Sequence, residues 1–563
     1  MPTFDFIVVG SGPAGSLLAS RLAGAASKPS VLLLEAGGDQ PDSRSLSLEN
    51  RWTLFQTKPD INWGYKSTSE PKLNGRSLDI SRGKALGGTS NINFTYWTPP
   101  NKDAIEEFQA RVGGDAFFSW ENSQRLLDGI VKYRVHNLLN DASHPLQYTT
   151  DHSVDEYVEL PPRGGYGPFE AEWTSNVKKG DVTLLKGAVE HGFRQNRNMN
   201  SGDSLGIGLT PSSASEATYR RTASSAFLAD RPANLTVKTG LEVSRIRFEG
   251  KTAKAVEVNG GVEVFEANRC VVLSAGSINT PKLLMLSGVG AANQLATNNI
   301  PLVSNLPAVG QNLKDHYAIF LSWKVDNDFA GAPVIPSITP APNQDMVNAV
   351  VAFDRDGAMV RQPGFKKLVK EEQRLLLRKD TPTLEIAAVT NWPPIPEVTE
   401  SNVILALFHL LPQSTGSVTL ASSDWRDAPN INLDFYSDEG NLDMAAAISY
   451  VRKGISLIEK TDSLSRHVIA PIQRPNSDSE EDIVAFLREH TNTVWHPSCT
   501  SKMGPMEDDG NSVVDPSFKV RNLDNLRVVD LSVAPVIPNY HPVSMVLLLG
   551  AWAAERMINE YNL

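Results

Sequence analysis

The chain carries Phe4-Asp5-Phe6-Ile7-Val8-Val9, followed at once by Gly10-Ser11-Gly12-Pro13-Ala14-Gly15 and then Ser16-Leu17-Leu18-Ala19-Ser20-Arg21-Leu22. Residues 6–9 are a short apolar run of aromatic and β-branched type, the composition of a strand buried on both faces. The glycine spacing then has a mechanical reading. Gly10 makes a tight turn, Gly12 lets a pyrophosphate approach the main chain, and Gly15 lets a helix pack close to the strand. Residues 16–22 predict that helix, with its unpaired N–H groups aimed at the phosphates. A second apolar strand over residues 31–34 ends in Glu35, twenty residues beyond Gly15. A carboxylate there accepts hydrogen bonds from the ribose hydroxyls of an adenosine. A glycine-rich turn alone is weak evidence; strand, loop, helix, strand and acid in this order predict an α/β dinucleotide-binding unit. On these residues alone, NAD and FAD are equally good occupants.

A length of 563 residues predicts two to four domains. With 41% hydrophobic and 21% charged residues, the composition is that of a soluble globular enzyme. The formal net charge of −11 argues against nucleic acid or an anionic membrane surface as partner. The two cysteines, Cys270 and Cys499, make neither a disulfide framework nor a metal-ligand spacing, so no metal site is expected. Cys270 sits in an apolar run and reads as a small buried hydrophobe. Asp5 falls where a signal peptide would need its apolar region, so none is expected in this chain, although a processed leader leaves secretion open. The most apolar C-terminal run, residues 545–554, is too short to span a bilayer. The expectation is a soluble protein, cytoplasmic or secreted.

A second glycine-rich stretch, Arg82-Gly83-Lys84-Ala85-Leu86-Gly87-Gly88-Thr89-Ser90-Asn91-Ile92-Asn93, brackets a loop with little side-chain bulk. Such a loop lets main chain press against a flat or anionic ligand. A helix-like segment follows, with Thr89 or Ser90 as its candidate cap. This stretch resembles the first signature of the glucose–methanol–choline (GMC) family of flavin oxidoreductases. Gly276-Ser277-Ile278-Asn279-Thr280-Pro281-Lys282-Leu283-Leu284-Met285-Leu286-Ser287-Gly288-Val289-Gly290 resembles the second. Val309-Gly310-Gln311-Asn312-Leu313-Lys314-Asp315-His316 and Leu526-Arg527-Val528-Val529-Asp530 resemble further family segments, so the likeness covers nearly the whole chain.

The resemblance implies FAD rather than NAD. It implies an α/β protein with a Rossmann-like FAD-binding domain and a second α+β substrate domain, an antiparallel sheet backed by helices. The implied division is discontinuous, with residues 1–160, 206–316 and 510–563 binding FAD and residues 161–205 and 317–509 forming the substrate domain. FAD contacts are implied at Gly10, Gly12, Pro13, Ala14, Gly15, Glu35 and Ala36 for the AMP half and pyrophosphate, with main chain of Val243 at the adenine. Arg82, Gly83, Gly88, Asn91 and Asn93 are implied around the flavin, joined by Asp530, Pro542 and Val543.

Between these blocks, residues 100–200 read as a charged, irregular lid or peripheral region with a Pro/Gly cluster at 161–165. Residues 220–228 predict a helix, and residues 235–239, 243–246, 253–258 and 270–273 predict strands. Residues 317–490 mix Pro-rich loops (333–342, 393–396) with strands at 402–411 and 416–420 and an amphipathic helix over 443–460. No internal repeat appears.

The chemistry is expected near the C-terminus. Thr493-Val494-Trp495-His496-Pro497 and Pro538-Asn539-Tyr540-His541-Pro542-Val543-Ser544 each present one histidine in a loop, the second leading into a helix over 544–561. The family pattern has a histidine at the first position and histidine or asparagine at the second, both facing the flavin across the substrate. Oxidising an alcohol moves a hydride from carbon to flavin N5 while the hydroxyl loses its proton. Neutral imidazole, with an ordinary pKa near ~6.5, is the side chain suited to take that proton. The resemblance therefore implies His496 as general base and His541 as hydrogen-bond partner of the substrate oxygen. Main chain of Val543 and Ser544, at the helix start, would stabilise the anionic reduced flavin. The other histidines, His316 among them, read as structural.

Two departures refine the reading. Some relatives attach flavin through a histidine at the position of Ile92, so non-covalent FAD is expected. Ala551-Trp552 stands where relatives often carry Glu-Lys. By its tail and Phe94-Thr95-Tyr96-Trp97, the chain is similar to the aryl-alcohol oxidase and formate oxidase branch. The formate branch has arginine where His541 stands, which favours an alcohol here. The expected activity is oxidation of a primary, aromatic or allylic alcohol, with oxygen or a quinone-type acceptor. A sugar dehydrogenase and a non-redox, FAD-containing hydroxynitrile lyase are the alternatives.

Overall fold

The computed structural model describes residues 1–39, 59–135, 158–159, 164–173, 179–213, 223–330, 350–390, 401–508 and 510–563. In chain order, the elements that position the site are β1 (Thr3–Val9), α1 (Pro13–Ala23), β2 (Val31–Leu34), β3 (Gly206–Leu209), β4 (Leu235–Lys238), β5 (Val243–Glu249), β6 (Thr252–Val258), β7 (Glu263–Leu273), α2 (Gly276–Leu286), β8 (Tyr317–Val325), β9 (Val350–Asp354), β10 (Leu384–Thr390), β11 (Asn402–His409), α3 (Leu442–Lys460), β12 (Val468–Gln473), β13 (Leu526–Val528) and α4 (Val543–Glu560).

The apolar runs at residues 6–9 and 31–34 are buried on both faces, as their composition predicts. They lie in a sheet ordered β4-β2-β1-β7-β6-β5, with β13 alongside the end of β7. Pairings among β4, β2, β1, β7 and β13 are parallel, whereas β5 and β6 join as an antiparallel flap. Parallel pairing sends the C-terminal ends of β1, β2, β7 and β13 to one edge. Gly10, Glu35, Ser274 and Asp530 follow those ends, at the edge where open α/β sheets bind ligands.

Steric fit sets the height of α1 on this edge. A Cβ on Gly10, whose φ is +99°, would stand 2.4 Å from the Ser274 carbonyl oxygen, and one on Gly15 would stand 2.0 Å from the Gly10 carbonyl oxygen. α4 then packs against α1 through Gly550, where a Cβ would meet the Ala14 carbonyl oxygen at 2.8 Å. Ala551 and Trp552 are fully buried there. Trp552 lies 5.0 Å from Phe108 and 4.9 Å from Phe118 between ring centroids. An aromatic cluster thus surrounds Trp552.

The second sheet is antiparallel and ordered β12-β8-β11-β10-β9-β3. Side chains alternate between its faces. Leu321 and Leu407 turn towards α3, where a Cβ on Gly454 would touch both, and the residues between them turn towards the first sheet. α3 is fixed by Asp443, which is fully buried. Its carboxylate accepts hydrogen bonds from Tyr317 (2.8 Å), the Gln413 and Ser414 amides (2.7 and 2.8 Å) and the Ser414 hydroxyl (2.6 Å), and lies 3.0 Å from His409 Nε2.

Four expectations change. β3, placed in the FAD-binding segment that begins at 206, pairs with β9 in the second sheet, because all four of its residues are buried and find their ladder there. The helix expected after Gly87-Gly88 is a single 3₁₀ turn, Gly88–Asn91. The Ser90 hydroxyl donates to the Gly87 carbonyl at 2.6 Å, and Thr89 accepts from the Gly83 amide at 3.1 Å, so neither caps a longer helix. Ser417–Thr419 pairs with Asn430–Asn432 outside the large sheet. The irregular region contains the helices Lys102–Arg111, Trp120–Asp128 and Lys179–Glu190. The Pro-rich loops, residues 136–157, 160–163 and 174–178 of the lid, residues 220–222 of the helix expected over 220–228, and His136, His144 and His152 lie outside the described residues. Among the described residues, no helix is long and apolar enough to cross a membrane.

Substituting Asp443→Ala strands His409 and the Tyr317 hydroxyl without their buried acceptor. A loss of roughly 3–5 kcal/mol is expected for breaking such a network, read as a lower denaturant midpoint than wild type.

Candidate active site

A cavity of about 990 Å³ runs from the loop after β1 to the inward face of the second sheet. Gly10, Gly12, Pro13, Ala14, Glu35, Ala36, Arg82, Gly83, Gly88, Asn93, Val243, Asp530, Pro542 and Val543 line it, as do His496 and His541. Gly15 and Asn91 stand behind the wall. Gly15 seats α1 against the loop, and the buried Asn91 amide donates to the Leu86 carbonyl at 2.9 Å.

Glu35 is largely committed to the protein. Its Oε2 accepts from the Ser11 amide (3.0 Å) and hydroxyl (2.6 Å), and its Oε1 accepts from the Gly37 amide (2.8 Å). Burial pushes this carboxyl up, and the Ser11 and Gly37 bonds pull it back. Each carboxylate oxygen has about two acceptor sites, so the remaining capacity is on Oε1. Asp530 accepts from the Gly276 amide at 2.9 Å and the Thr280 hydroxyl at 2.6 Å, which ties the start of α2 to the end of β13.

The lining fits a dinucleotide such as FAD. A Cβ on Gly12 would meet no atom within 4 Å, so the loop backbone at the α1 N-terminus faces open space. The buried Ser277 hydroxyl, at the start of α2, lines the cavity without a partner among the described residues. The N-terminus of α4, with Pro542 and Val543, opens on the same cavity.

Three histidines meet at the other end. His496 stands edge-on to His541 and to His316, with ring centroids 5.1 Å apart and planes at 84° in both cases. His316 and His496 approach through their Nδ1 atoms at 3.0 Å. Burial, followed by the neighbouring His316, His541 and Arg82, holds His496 well below the usual imidazole range. Burial with His541 and His409 nearby pulls His316 down to about 3. Both rings are therefore neutral at pH 7, and one Nδ1 donates to the other. No hydrogen bond among the described residues occupies His496 Nε2.

His541 has a different setting. Its Nε2 lies 2.7 Å from Oε1 of the buried Glu385, and its amide donates to Thr98 Oγ1 at 2.9 Å. Tyr96 stacks on the ring at 5.0 Å and 8°, and Phe408 meets its edge at 5.9 Å.

The loop bearing His496 is held by Asp315, which accepts from the His496 amide at 2.8 Å and the Thr493 hydroxyl at 2.5 Å. Arg82 Nη1 donates to the Trp495 carbonyl at 2.5 Å. Burial pushes the Asp315 carboxyl up to about 7, against those hydrogen bonds and the nearby Arg82 charge.

Sequence reasoning passed over Glu385, Asp315 and His316 as site residues. Glu385 carried one usable signal, a single acid in the otherwise uncharged strand Leu384–Thr390. Asp315-His316 carried another, two polar residues immediately before the largely apolar β8.

Comparison with known proteins agrees with this geometry. Profiles described as GMC oxidoreductase match residues 4–318 and 412–550. The alcohol dehydrogenase [acceptor] of Pseudomonas putida is 28% identical over 578 residues, covering 100% of this chain and 96% of the relative. A structure of Aspergillus oryzae formate oxidase, concerned with FAD modification, superposes with a TM-score of 0.84 at 25% identity, covering 100% of this chain and 99% of the other. A fungal aryl-alcohol oxidase shares the fold, with a TM-score of 0.80 at 22% identity and 99% of each chain covered.

The Asp315 shift has a stability consequence. The folded protein holds this proton up to about 7, whereas the unfolded chain releases it near 3.8. Between those values the unfolded state binds fewer protons, so this group lowers stability as pH rises. Asp315→Asn removes the titration. The wild type's melting temperature, taken relative to that of the variant, is expected to decline from about pH 4 to about pH 7 in matched buffers, with up to roughly 4 kcal/mol at stake.

Proposed function

Because the chain belongs to the GMC oxidoreductase family, whose members are FAD-dependent enzymes acting on CH–OH groups, we propose that it oxidises a primary alcohol of aromatic or allylic type, with His496 as general base and FAD held non-covalently. The observation that carries this reading is the pair of imidazoles edge-on at 5.1 Å, in one cavity with the Gly-rich loop and Glu35. The other expected FAD contacts, including Gly15 and Asn91 behind the wall, enter the reading as support for that cradle.

Two like side chains receive two roles when their environments differ. His496 is neutral, and its Nε2 is open to the cavity, so it accepts the hydroxyl proton. His541 has a carboxylate against Nε2, which fixes the orientation of the ring beside the place the substrate oxygen takes. Tyr96 and Phe408 hold that ring in plane, and His316 fixes the rotation of His496. Bound FAD supplies the two-electron acceptor for the hydride that leaves the carbinol carbon. The N-terminus of α4 opens on the cavity, and its partial positive charge would favour the anionic form of a flavin held there. Ile92, buried against the cavity, provides no nucleophile for a flavin linkage. The apolar inward face of the second sheet favours an aryl or alkenyl substrate over a polyhydroxylated sugar.

Anaerobic mixing with an alcohol panel tests the reading, because alcohol oxidation bleaches the flavin and a hydroxynitrile lyase leaves it oxidised. His496→Ala is expected to slow flavin reduction by about 10²–10⁴-fold while FAD stays bound; a wild-type rate sinks the assignment. Glu385→Gln keeps a hydrogen bond but removes the charge, and about a 10–100-fold slower reduction is expected. Acid precipitation should leave the flavin colour in the supernatant.

A further inference from the structure

The segments that carry His316 and His496 are joined through their main chains on both sides of the ring contact. The Val494 amide donates to the His316 carbonyl at 3.2 Å, and Lys314 and Ser498 exchange amide-to-carbonyl bonds at 3.2 and 2.9 Å. Between these, Asp315 accepts from the His496 amide at 2.8 Å. The two Nδ1 atoms, 3.0 Å apart, are therefore presented by backbone with little freedom to separate. A partner held this firmly determines which nitrogen of a histidine carries the proton.

Two neutral imidazoles that meet through Nδ1 admit two proton arrangements. In one, His316 donates from Nδ1; His496 then carries its proton on Nε2 and offers the cavity no lone pair. In the other, His496 donates from Nδ1, and His316 carries its proton on Nε2. The surroundings of His316 choose between them. Its Nε2 is buried, and no donor among the described residues reaches it. The backbone groups that act on the ring are the carbonyls of Pro538 and Leu410, both acceptors. A bare Nε2 would set a buried lone pair against carbonyl oxygens, whereas an Nε2–H turns a positive edge towards them.

We infer that His316 is a positioning residue that sets the tautomer of His496, accepting from its Nδ1–H so that the bare Nε2 faces the cavity. This rests on the alcohol reading above and deepens it. The hydroxyl proton goes to Nε2, the O–H electron pair stays on oxygen to form the carbonyl, and the C–H pair leaves with the hydride to bound FAD. The imidazolium so formed keeps its acceptor at Nδ1, where His316 has no proton to compete. The Pro538 carbonyl belongs to the loop that carries His541, so one ring ties the settings of both site histidines together.

The test uses the FAD-loaded enzyme labelled with nitrogen-15 at the histidine rings, whose protonated and bare nitrogens separate in long-range proton–nitrogen spectra. Signals of His496 are identified by their loss in His496→Gln, and those of His316 by their loss in His316→Asn. A proton on Nδ1 of His496 and on Nε2 of His316 is expected; a proton on Nε2 of His496 overturns the inference. Two substitutions then separate tautomer control from packing. His316→Asn keeps an acceptor at the Nδ1 position, and His316→Gln keeps polar atoms only at the Nε2 position. His316→Gln is expected to slow flavin reduction by roughly 10–100-fold with FAD retained, while His316→Asn retains most of the rate. Equal losses, or a faster His316→Gln, identify a structural role and overturn the inference. The spectra of the unsubstituted enzyme decide the tautomer whether or not either variant folds. The expected tautomers without bleaching by any alcohol support this role of His316 and overturn the alcohol reading instead.

Discussion

Two absent side chains govern the geometry of this molecule. With no Cβ at Gly10 or Gly15, α1 begins flush against the ends of β1 and β7, and any larger residue would collide with backbone there. α4 docks on α1 at Gly550, where a Cβ would also meet backbone, and His541 sits two residues before α4. The placement of a histidine near the end of the chain therefore depends on clearance within the first fifteen residues. The Gly-rich loop and the His541 ring, which line one cavity, belong to one rigid stack.

The second sheet contributes what that stack lacks. It supplies Glu385 against His541, and His316 just before β8 against His496. The two imidazoles 5.1 Å apart thus differ in their hydrogen-bond partners. One is buried beside two other imidazoles and the Arg82 charge, which keep it unprotonated, and the other faces a carboxylate. In a water-poor cavity such differences in neighbour outweigh the identity of the side chain.

How much of this was legible in the sequence follows from how local each feature is. The Gly-rich loop, Glu35 and the strands at residues 6–9 and 31–34 were readable because turn sterics and burial act over a few residues. His496 and His541 were readable only through the resemblance, since nothing local distinguishes them from His409, whose buried partner is Asp443. Glu385 stayed hidden because its partner is 156 positions away, across two sheets. β3, Gly-Ile-Gly-Leu, has almost no intrinsic strand propensity and owes its conformation to β9. The one-turn helix after Gly88 is short because Ser90 and Thr89 spend their hydroxyls on neighbouring backbone.

The sheet order also constrains how the protein comes into being. β1 can pair on one side with β2 soon after synthesis, but its other neighbour is β7, and β7 completes its parallel edge only with β13 at residues 526–528. Pairings this distant in sequence close late and fold slowly. Through most of its time on the ribosome, the nascent chain holds an apolar strand edge that nothing covers, a state open to chaperones and to aggregation. The cavity wall is finished only when Asp530 and the α4 N-terminus arrive, so cofactor capture belongs to the last stage of biogenesis. Supply of FAD at that moment acts as a selective stabiliser of the completed fold, which makes the yield of folded protein in a cell a function of its flavin status.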